Sequence, residues 1–245
     1  MRRTRTVVTM AGLLTLAMVC VAAAAEATGE APGGKLAPDH KSPTLGQKPP
    51  EGAVVLLPFD EGKAPSLDAW DNKTWQAGDD GSIVKGEGDV RTREDLGDVQ
   101  LHLEFNILPG KDGGPPPAEG NSGVYIMDRY EIQILDSYGR KATDNECGAV
   151  YRRIAPKVNA SLPAGRWQTF DITFHAPRID EKGAKTHSVR VTVVHNGVKV
   201  HDNVEVPGPT GAASGKKEVA KAPLRLQDHG PPVKFRNIWY AKPKD

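Results

Sequence analysis

Residues 121–136 read NSGVYIMDRYEIQILD, and the alternation inside this stretch decides the fold. Tyr130, Ile132 and Ile134 alternate with Glu131, Gln133 and Leu135, the period of two expected of a strand with one buried face. The whole stretch reads as a β-hairpin that aims polar groups off one face of a sheet. At roughly 3.3 Å of rise per residue, the Glu131 carboxylate and the Gln133 carboxamide point the same way about 6.6 Å apart. A solvated outer face would also show Glu and Gln. The polar ends, with Asn121 and Ser122 entering and Asp136 leaving, favour a site instead.

Similar alternation continues on both sides. Leu101, Leu103, Phe105 and Ile107 alternate with His102, Glu104 and Asn106, and Phe170, Ile172 and Phe174 alternate with Asp171, Thr173 and His175. Val189, Val191 and Val193 lead to His195, Asn196 and Gly197, where Asn-Gly marks a tight hairpin into Val198 and Val200, with His195 expected at the surface. Strands at residues 224–227 and 233–240 close the series, with Trp239 in phase with Phe235 and assigned to the core. Helical periodicity of ten or more residues is absent, which predicts an all-β protein, an antiparallel β-sandwich of two sheets packed face to face. Two long loops, 109–120 and 208–223, interrupt it, and loops of that length usually belong to binding sites or to disorder.

Residues 1–25 stand apart. Arg2, Arg3 and Arg5 precede an apolar run from Val7 to Val21, and Ala22 to Ala25 supply an A-x-A cleavage site. This reads as a signal peptide and predicts an exported protein, periplasmic or secreted, with no membrane span, since the run is shorter than the roughly 20 residues a spanning helix needs. Residues 26–50, rich in Pro and Gly without apolar periodicity, are expected to form a disordered linker, and residues 51–245 one domain. Of the 2 cysteines, Cys20 falls in the expected leader, and if it leaves with that leader Cys147 has no intramolecular partner and is expected as a buried small hydrophobe.

The 245-residue chain carries a formal net charge of +1, which gives no nucleic-acid footprint. Phosphate loops, dinucleotide fingerprints and a G-x-S-x-G elbow are missing, which disfavours kinases, oxidoreductases and serine hydrolases. Scattered histidines offer no metal motif. No cofactor is expected, although a structural calcium ion on carbonyl and carboxylate oxygens would leave no sharp signature in a β-sandwich.

The ordered series LLPFDEGKAPSLDAW (56–70), GDVQLHLEF (97–105), NSGVYIMDRYEIQILDSYG (121–139), CGAVYRRIAPKVNASLPAGRWQTFDI (147–172), VTVVHNGVKVHDNVEVPGPTG (191–211) and PLRLQDHGPPVKFRNIWY (223–240) resembles the 3-keto-disaccharide hydrolase domain family. The E-x-Q-x-x-D segment and the LQDHG-x-x-V-x-F-R-N-I-W ending are the distinctive pieces. The resemblance implies a concanavalin A-like jelly roll acting on a carbohydrate substrate, with an upstream sugar-3-dehydrogenase as pathway partner. In a glycoside oxidised at C3 the ketone acidifies the C2 hydrogen, so a base can remove it and the enolate can expel the group at C1 before water adds. Such chemistry needs a base, an enolate stabiliser and an acid for the leaving group.

Glu131 is the first candidate base and His229 the second, because histidine titrates near neutrality and Gly230 and Pro231 force an exposed turn there. Asp228 could fix the His229 tautomer, or both could merely cap the turn. Asn121, Gln133, Asp136, Gln227 and Arg236 are the candidate substrate-binding residues, with a structural ion pair the alternative for Arg236. Two rivals stand beside this reading. Glu131, Gln133 and Asp136 have the spacing of the E-x-D-x-x-E signature of laminarinase-like retaining glucanases, yet five steps along a regular strand put Glu131 and Asp136 on opposite faces. A noncatalytic lectin-like module stacking sugars on Trp70, Trp75, Trp167 or Trp239 is the other.

Overall fold

A computed structural model describes residues 35–71, 74–110, 120–230 and 232–243. The expected signal peptide, residues 26–34 of the expected linker and most of the 109–120 loop lie outside the described residues. The chain forms β1 (Val54–Leu57), β2 (Gln76–Ala77), β3 (Ile83–Val84), β4 (Val90–Leu96), β5 (Val99–Ile107), β6 (Asn121–Ile126), β7 (Tyr130–Leu135), β8 (Trp167–His175), β9 (Arg178–Ile179), β10 (Lys185–His187), β11 (Val189–His195), β12 (Val198–Val206), β13 (Ala222–Leu226) and β14 (Val233–Ala241). Helix among the described residues is limited to one 3₁₀ turn, Gly211–Ala213.

The strands make an antiparallel sandwich of the jelly-roll type. The eight-stranded sheet has the order β12-β11-β8-β5-β14-β3-β2, with β1 also on β14, and the four-stranded sheet the order β4-β13-β6-β7. A separate ribbon pairs β9 with β10. Leu101, Leu103, Phe105, Phe170, Ile172 and Phe174 of the larger sheet pack with Val124, Ile126, Ile132, Ile134, Leu224 and Leu226 of the smaller. Each such side chain contributes about 1.5–3 kcal/mol on full burial. Cys147 is buried as expected, and burial pushes its thiol up to about 12.

Three expectations from the sequence need correction. The first concerns residues 35–50, which are not a free linker but a strap across the outer face of the larger sheet. Ser42 Oγ meets Thr169 Oγ1 at 2.6 Å, Thr44 Oγ1 donates to Asp171 Oδ2 at 2.7 Å, and the Gly46 N–H donates to Glu104 Oε1 at 2.6 Å. Asn237 Nδ2 donates to Gln47 O at 2.9 Å, and Leu36 packs on the core. The strap follows a chain of turns, closed by hydrogen bonds from His40 N to Ala37 O, Leu45 N to Ser42 O and Gln47 N to Thr44 O. It covers His102 and Glu104, both buried, whose burial without partners would be costly.

The second concerns His195, which is buried rather than at the surface. Its ring packs against Phe170 and Phe105, Nε2 lies 3.0 Å from Gln168 Oε1, and burial depresses its pKa to about 3. The Asn-Gly turn is also covered, because His40 Nε2 sits 3.0 Å from Asn196 O.

The third concerns the phase of Trp239, which is buried as expected but on the strap side of the sheet, stacked on His102 with ring centroids 5.0 Å apart. Register between β14 and β5 advances from Arg236↔Glu104 to Trp239↔His102, three residues against two. Asn237, in the left-handed region at φ 49°, absorbs the extra residue and reverses the phase.

Candidate active site

Strand phase builds the site. In the β6–β7 pair Tyr125 lies opposite Glu131, Gly123 opposite Gln133 and Asn121 opposite Leu135. Because Val124, Ile132 and Ile134 face the core, these alternate residues project from the other face of the smaller sheet. Strand β13 adds Arg225 beside Tyr125, and Gln227 follows in phase. The result is a pocket of about 260 Å³ lined by Asn121, Tyr125, Glu131, Gln133, Tyr151, Gly211, Ala212, Gln227 and His229.

The 208–223 loop closes one wall, held by contacts to the hairpin. Thr210 Oγ1 accepts from the Glu131 N–H at 2.7 Å, Tyr130 OH donates to Glu218 Oε1 at 2.6 Å, and Lys216 Nζ donates to Asp128 Oδ2 at 2.8 Å. Arg129 Nε donates to Lys217 O at 2.7 Å. These anchors set Gly211 and Ala212 against the Glu131 side chain.

Glu131 is 2% exposed, and burial raises its pKa to about 7; the Tyr125 hydroxyl proton and the Arg225 charge pull it back down, while Asp89 adds to the rise. Its Oε2 has no hydrogen-bond partner in the protein, nor do Asn121 Oδ1, Gln133 Oε1 and Gln227 Oε1. The amide groups of Gln133 and Gln227 are turned the other way, Gln133 Nε2 toward Asn145 O at 3.4 Å and Gln227 Nε2 toward Tyr125 OH at 3.4 Å. Apart from the Tyr125 hydroxyl that faces Glu131, these four buried acceptor oxygens border one pocket without a protein donor, where a ligand or water would supply the hydrogens.

Of the residues expected from sequence, the fold brings Asn121, Glu131, Gln133, Gln227 and His229 to this pocket and leaves three outside it. Asp136 is out of phase with Glu131 and does not line the pocket; its N–H donates to Gly120 O at 3.1 Å. Asp228 does not orient His229, because its carboxylate pairs with Lys85 Nζ at 2.8 Å and accepts the Gly88 N–H at 3.0 Å. Arg236 belongs to β14 in the other sheet, where it pairs with Glu104 at 2.7 Å between the rings of Phe59 and Trp167. The structural ion pair is therefore the right reading for it. Tyr125, Tyr151, Gly211 and Ala212 were not anticipated, although Tyr125 shares the phase of Asn121 and could have been found from it.

Among the described residues no cluster of three or more His, Cys, Asp or Glu side chains is arranged to hold a metal ion. Glu131 is the one carboxylate among the lining residues, so the paired carboxylates of a retaining glucanase, about 5–5.5 Å apart, are not assembled from them.

Residues 53–241 match the profile of the 3-keto-alpha-glucoside-1,2-lyase-like domain. No curated protein matches the chain. Among solved structures, a candidate glycosyl hydrolase from Parabacteroides distasonis ATCC 8503 is 31% identical, covering 79% of this chain and 85% of that one with a TM-score of 0.69. A second candidate glycosyl hydrolase from the same organism, 21% identical over 79% of this chain and 95% of that one, shares the fold with a TM-score of 0.56.

Proposed function

The chain belongs to the 3-keto-alpha-glucoside-1,2-lyase-like domain family, and on that premise we propose that it cleaves the glycosidic bond of 3-keto glycosides by elimination across C1 and C2, with Glu131 as the base. The observation that carries this reading is the Glu131 carboxylate itself: buried, with a pKa of about 7, and with Oε2 unpartnered at the pocket. A base poised near the working pH combines availability with proton affinity.

Glu131 takes the C2 hydrogen as a proton, and the electron pair left behind is delocalised onto the C3 oxygen as an enolate. When the enolate collapses, the C1–C2 double bond forms, the C1–O bond breaks, and the departing oxygen takes a proton from His229. Water then adds across the double bond, hydroxyl to C1 and hydrogen to C2. His229 is the lining residue able to carry a positive charge, and it sits exposed at the rim, where a leaving group would depart. The acceptors on Asn121, Gln133 and Gln227 suit the hydroxyl donors of a sugar ring. One base suffices for elimination, which accords with a single lining carboxylate.

The same reading needs an upstream sugar-3-oxidising dehydrogenase to supply the ketone, and the signal peptide expected over residues 1–25 would put the reaction outside the cytoplasm. Paired glucosides with and without a C3 ketone test it. Turnover of the ketone alone, falling by about 10² to 10⁴ in Glu131→Gln with binding retained, is the expected result. Binding of unoxidised glycans without turnover of either compound would mean a lectin-like module, and cleavage of unoxidised β-glucan a glucanase.

A further inference from the structure

The elimination leaves one requirement unassigned, a donor for the enolate oxygen. Tyr125 is 1% exposed, lines the pocket and faces Glu131 across the hairpin. Its hydroxyl and Glu131 Oε2 border the same spot: a Cβ on Gly211 would stand 3.2 Å from the first and 2.5 Å from the second. Gln227 Nε2 donates to the Tyr125 oxygen at 3.4 Å, and Ala212 lines the pocket beside it. A phenol has one proton to give. One lone pair of the oxygen is engaged by Gln227, and the proton lies toward the Glu131 carboxylate, whose pKa it lowers.

The ring is held as firmly as the hydroxyl. The Arg225 guanidinium carbon lies 3.5 Å from the Tyr125 ring centroid. Arg225 Nη1 donates to Asp89 Oδ2 at 2.5 Å, and Nε pairs with Asp128 Oδ1 at 2.5 Å. Asp128 also takes Lys216 from the loop that carries Gly211 and Ala212. Strand β13, the hairpin turn and that loop are therefore tied together around Tyr125.

We propose that Tyr125 is a second catalytic residue, the hydrogen-bond donor that stabilises the enolate oxygen at C3 while Glu131 takes the proton from C2. Before the reaction its proton faces the Glu131 carboxylate. As Glu131 accepts the C2 proton it becomes neutral and the negative charge passes to the C3 oxygen, so the Tyr125 hydrogen bond follows the charge. No proton leaves Tyr125, and none has to be replaced. C2 and the C3 oxygen are neighbours in the substrate, as Oε2 and the phenol are in the pocket. A fixed donor aimed where charge develops stabilises the transition state without reorganisation.

This inference rests on Glu131 acting as base, and its test separates the two. A 3-keto 1,5-anhydrohexitol has no exocyclic leaving group at C1, so enzyme-catalysed exchange of its C2 hydrogen with deuterated water reports enolate formation without glycosidic cleavage. Wild-type exchange above the enzyme-free rate, lost in Glu131→Gln, establishes the base; absence of wild-type exchange defeats the base assignment and this inference with it. Given exchange, Tyr125→Phe, which keeps the ring under Arg225, should slow it by about 10² to 10³ with little change in KM. Exchange in Tyr125→Phe within threefold of wild type overturns the role of Tyr125 and leaves that of Glu131 standing. A second readout needs no turnover: in the Glu131→Gln background, the infrared band of the bound, ¹³C-labelled C3 ketone should lie lower than in the same protein carrying Tyr125→Phe. Identical bands would equally overturn the proposal.

Discussion

A Cβ added to Gly211 would stand 2.5 Å from Glu131 Oε2, so the carboxylate occupies the space a side chain there would need. Gly123 is placed in the same way on the other side, its Cβ position 2.5 Å from Oε1. Gly211 also has φ 49°, in the left-handed region that favours glycine. The two glycines hold the carboxylate between them.

Gly211→Ala should therefore displace the carboxylate without dismantling the sandwich. A misplacement of about 1 Å lowers kcat/KM by about 10², and left-handed strain of about 1 kcal/mol would lower Tm by about 2–4 °C. Steady-state kinetics on a 3-keto glucoside beside a melting curve checks both. Wild-type kcat/KM in Gly211→Ala would show that the carboxylate has another place to sit.

Glu131 should reveal its burial through stability. Its folded-state pKa of about 7 lies above the ordinary 4.5, so between those values the folded protein holds a proton that the unfolded chain has lost. Stability therefore falls as pH rises from 4.5 to 7, and the deficit persists above 7. Glu131→Gln removes the titration and should be more stable than wild type at pH 8, by up to roughly 3 kcal/mol, with no such gain at pH 4. Urea unfolding at the two pH values measures the difference. An equal effect at both would mean that the carboxylate is not held near neutrality.

Strand phase made the larger part of this site legible. The alternation around Tyr130–Leu135 placed Glu131 and Gln133 on one face, and carrying the same phase across the hairpin and onto β13 reaches Asn121 and Gln227. Phase says nothing about which sheet a strand joins, and Arg236 was misplaced for that reason. A single left-handed Asn237 was enough to turn Trp239 to the opposite face. Gly211 and Ala212 lie in a loop with no periodicity at all, where position is set by distant anchors such as Thr210 and Lys216. Residues 35–50 failed for a related reason: their bonds go to side chains of the sheet, not to a ladder, and so leave no pattern in the strap.

A chain starting at Glu51 should accordingly be much less stable than one starting at Lys35. Removing the strap strips Glu104 of the Gly46 N–H, Asp171 of Thr44 and Thr169 of Ser42. Each lost hydrogen bond removes about 0.5–1.5 kcal/mol, or about 1.5–3 kcal/mol where the acceptor is a carboxylate, so Tm should fall by about 10 °C at about 2–4 °C per kcal/mol. Calorimetry on the two chains decides this. Equal melting temperatures would show that the strap contributes no stability.

The strap's hold should also depend on pH through His102. Burial disfavours the charged ring, but Asp171 at 2.6 Å and Glu104 at 3.7 Å outweigh it, and the His102 pKa lies above its ordinary 6.5. Asn237 and the stacked Trp239 complete its surroundings, and Arg236 neutralises the far side of Glu104. A histidine with a raised folded-state pKa contributes stability that is fully present below 6.5 and lost as pH rises through the folded value. Once His102 is neutral, two carboxylates remain beneath the strap with Arg236 as the adjacent cation, and the polar layer carries excess negative charge. Hydrogen exchange at the Gly46 amide, which donates to Glu104, should therefore be better protected at pH 6 than at pH 9 after correction for the intrinsic rate. In His102→Gln that difference should shrink severalfold, since the titrating group is gone. Protection at Gly46 that stays constant across this range in wild type would mean that His102 does not set the strap's hold, and that the hydrogen bonds to Thr169 and Asp171 are enough.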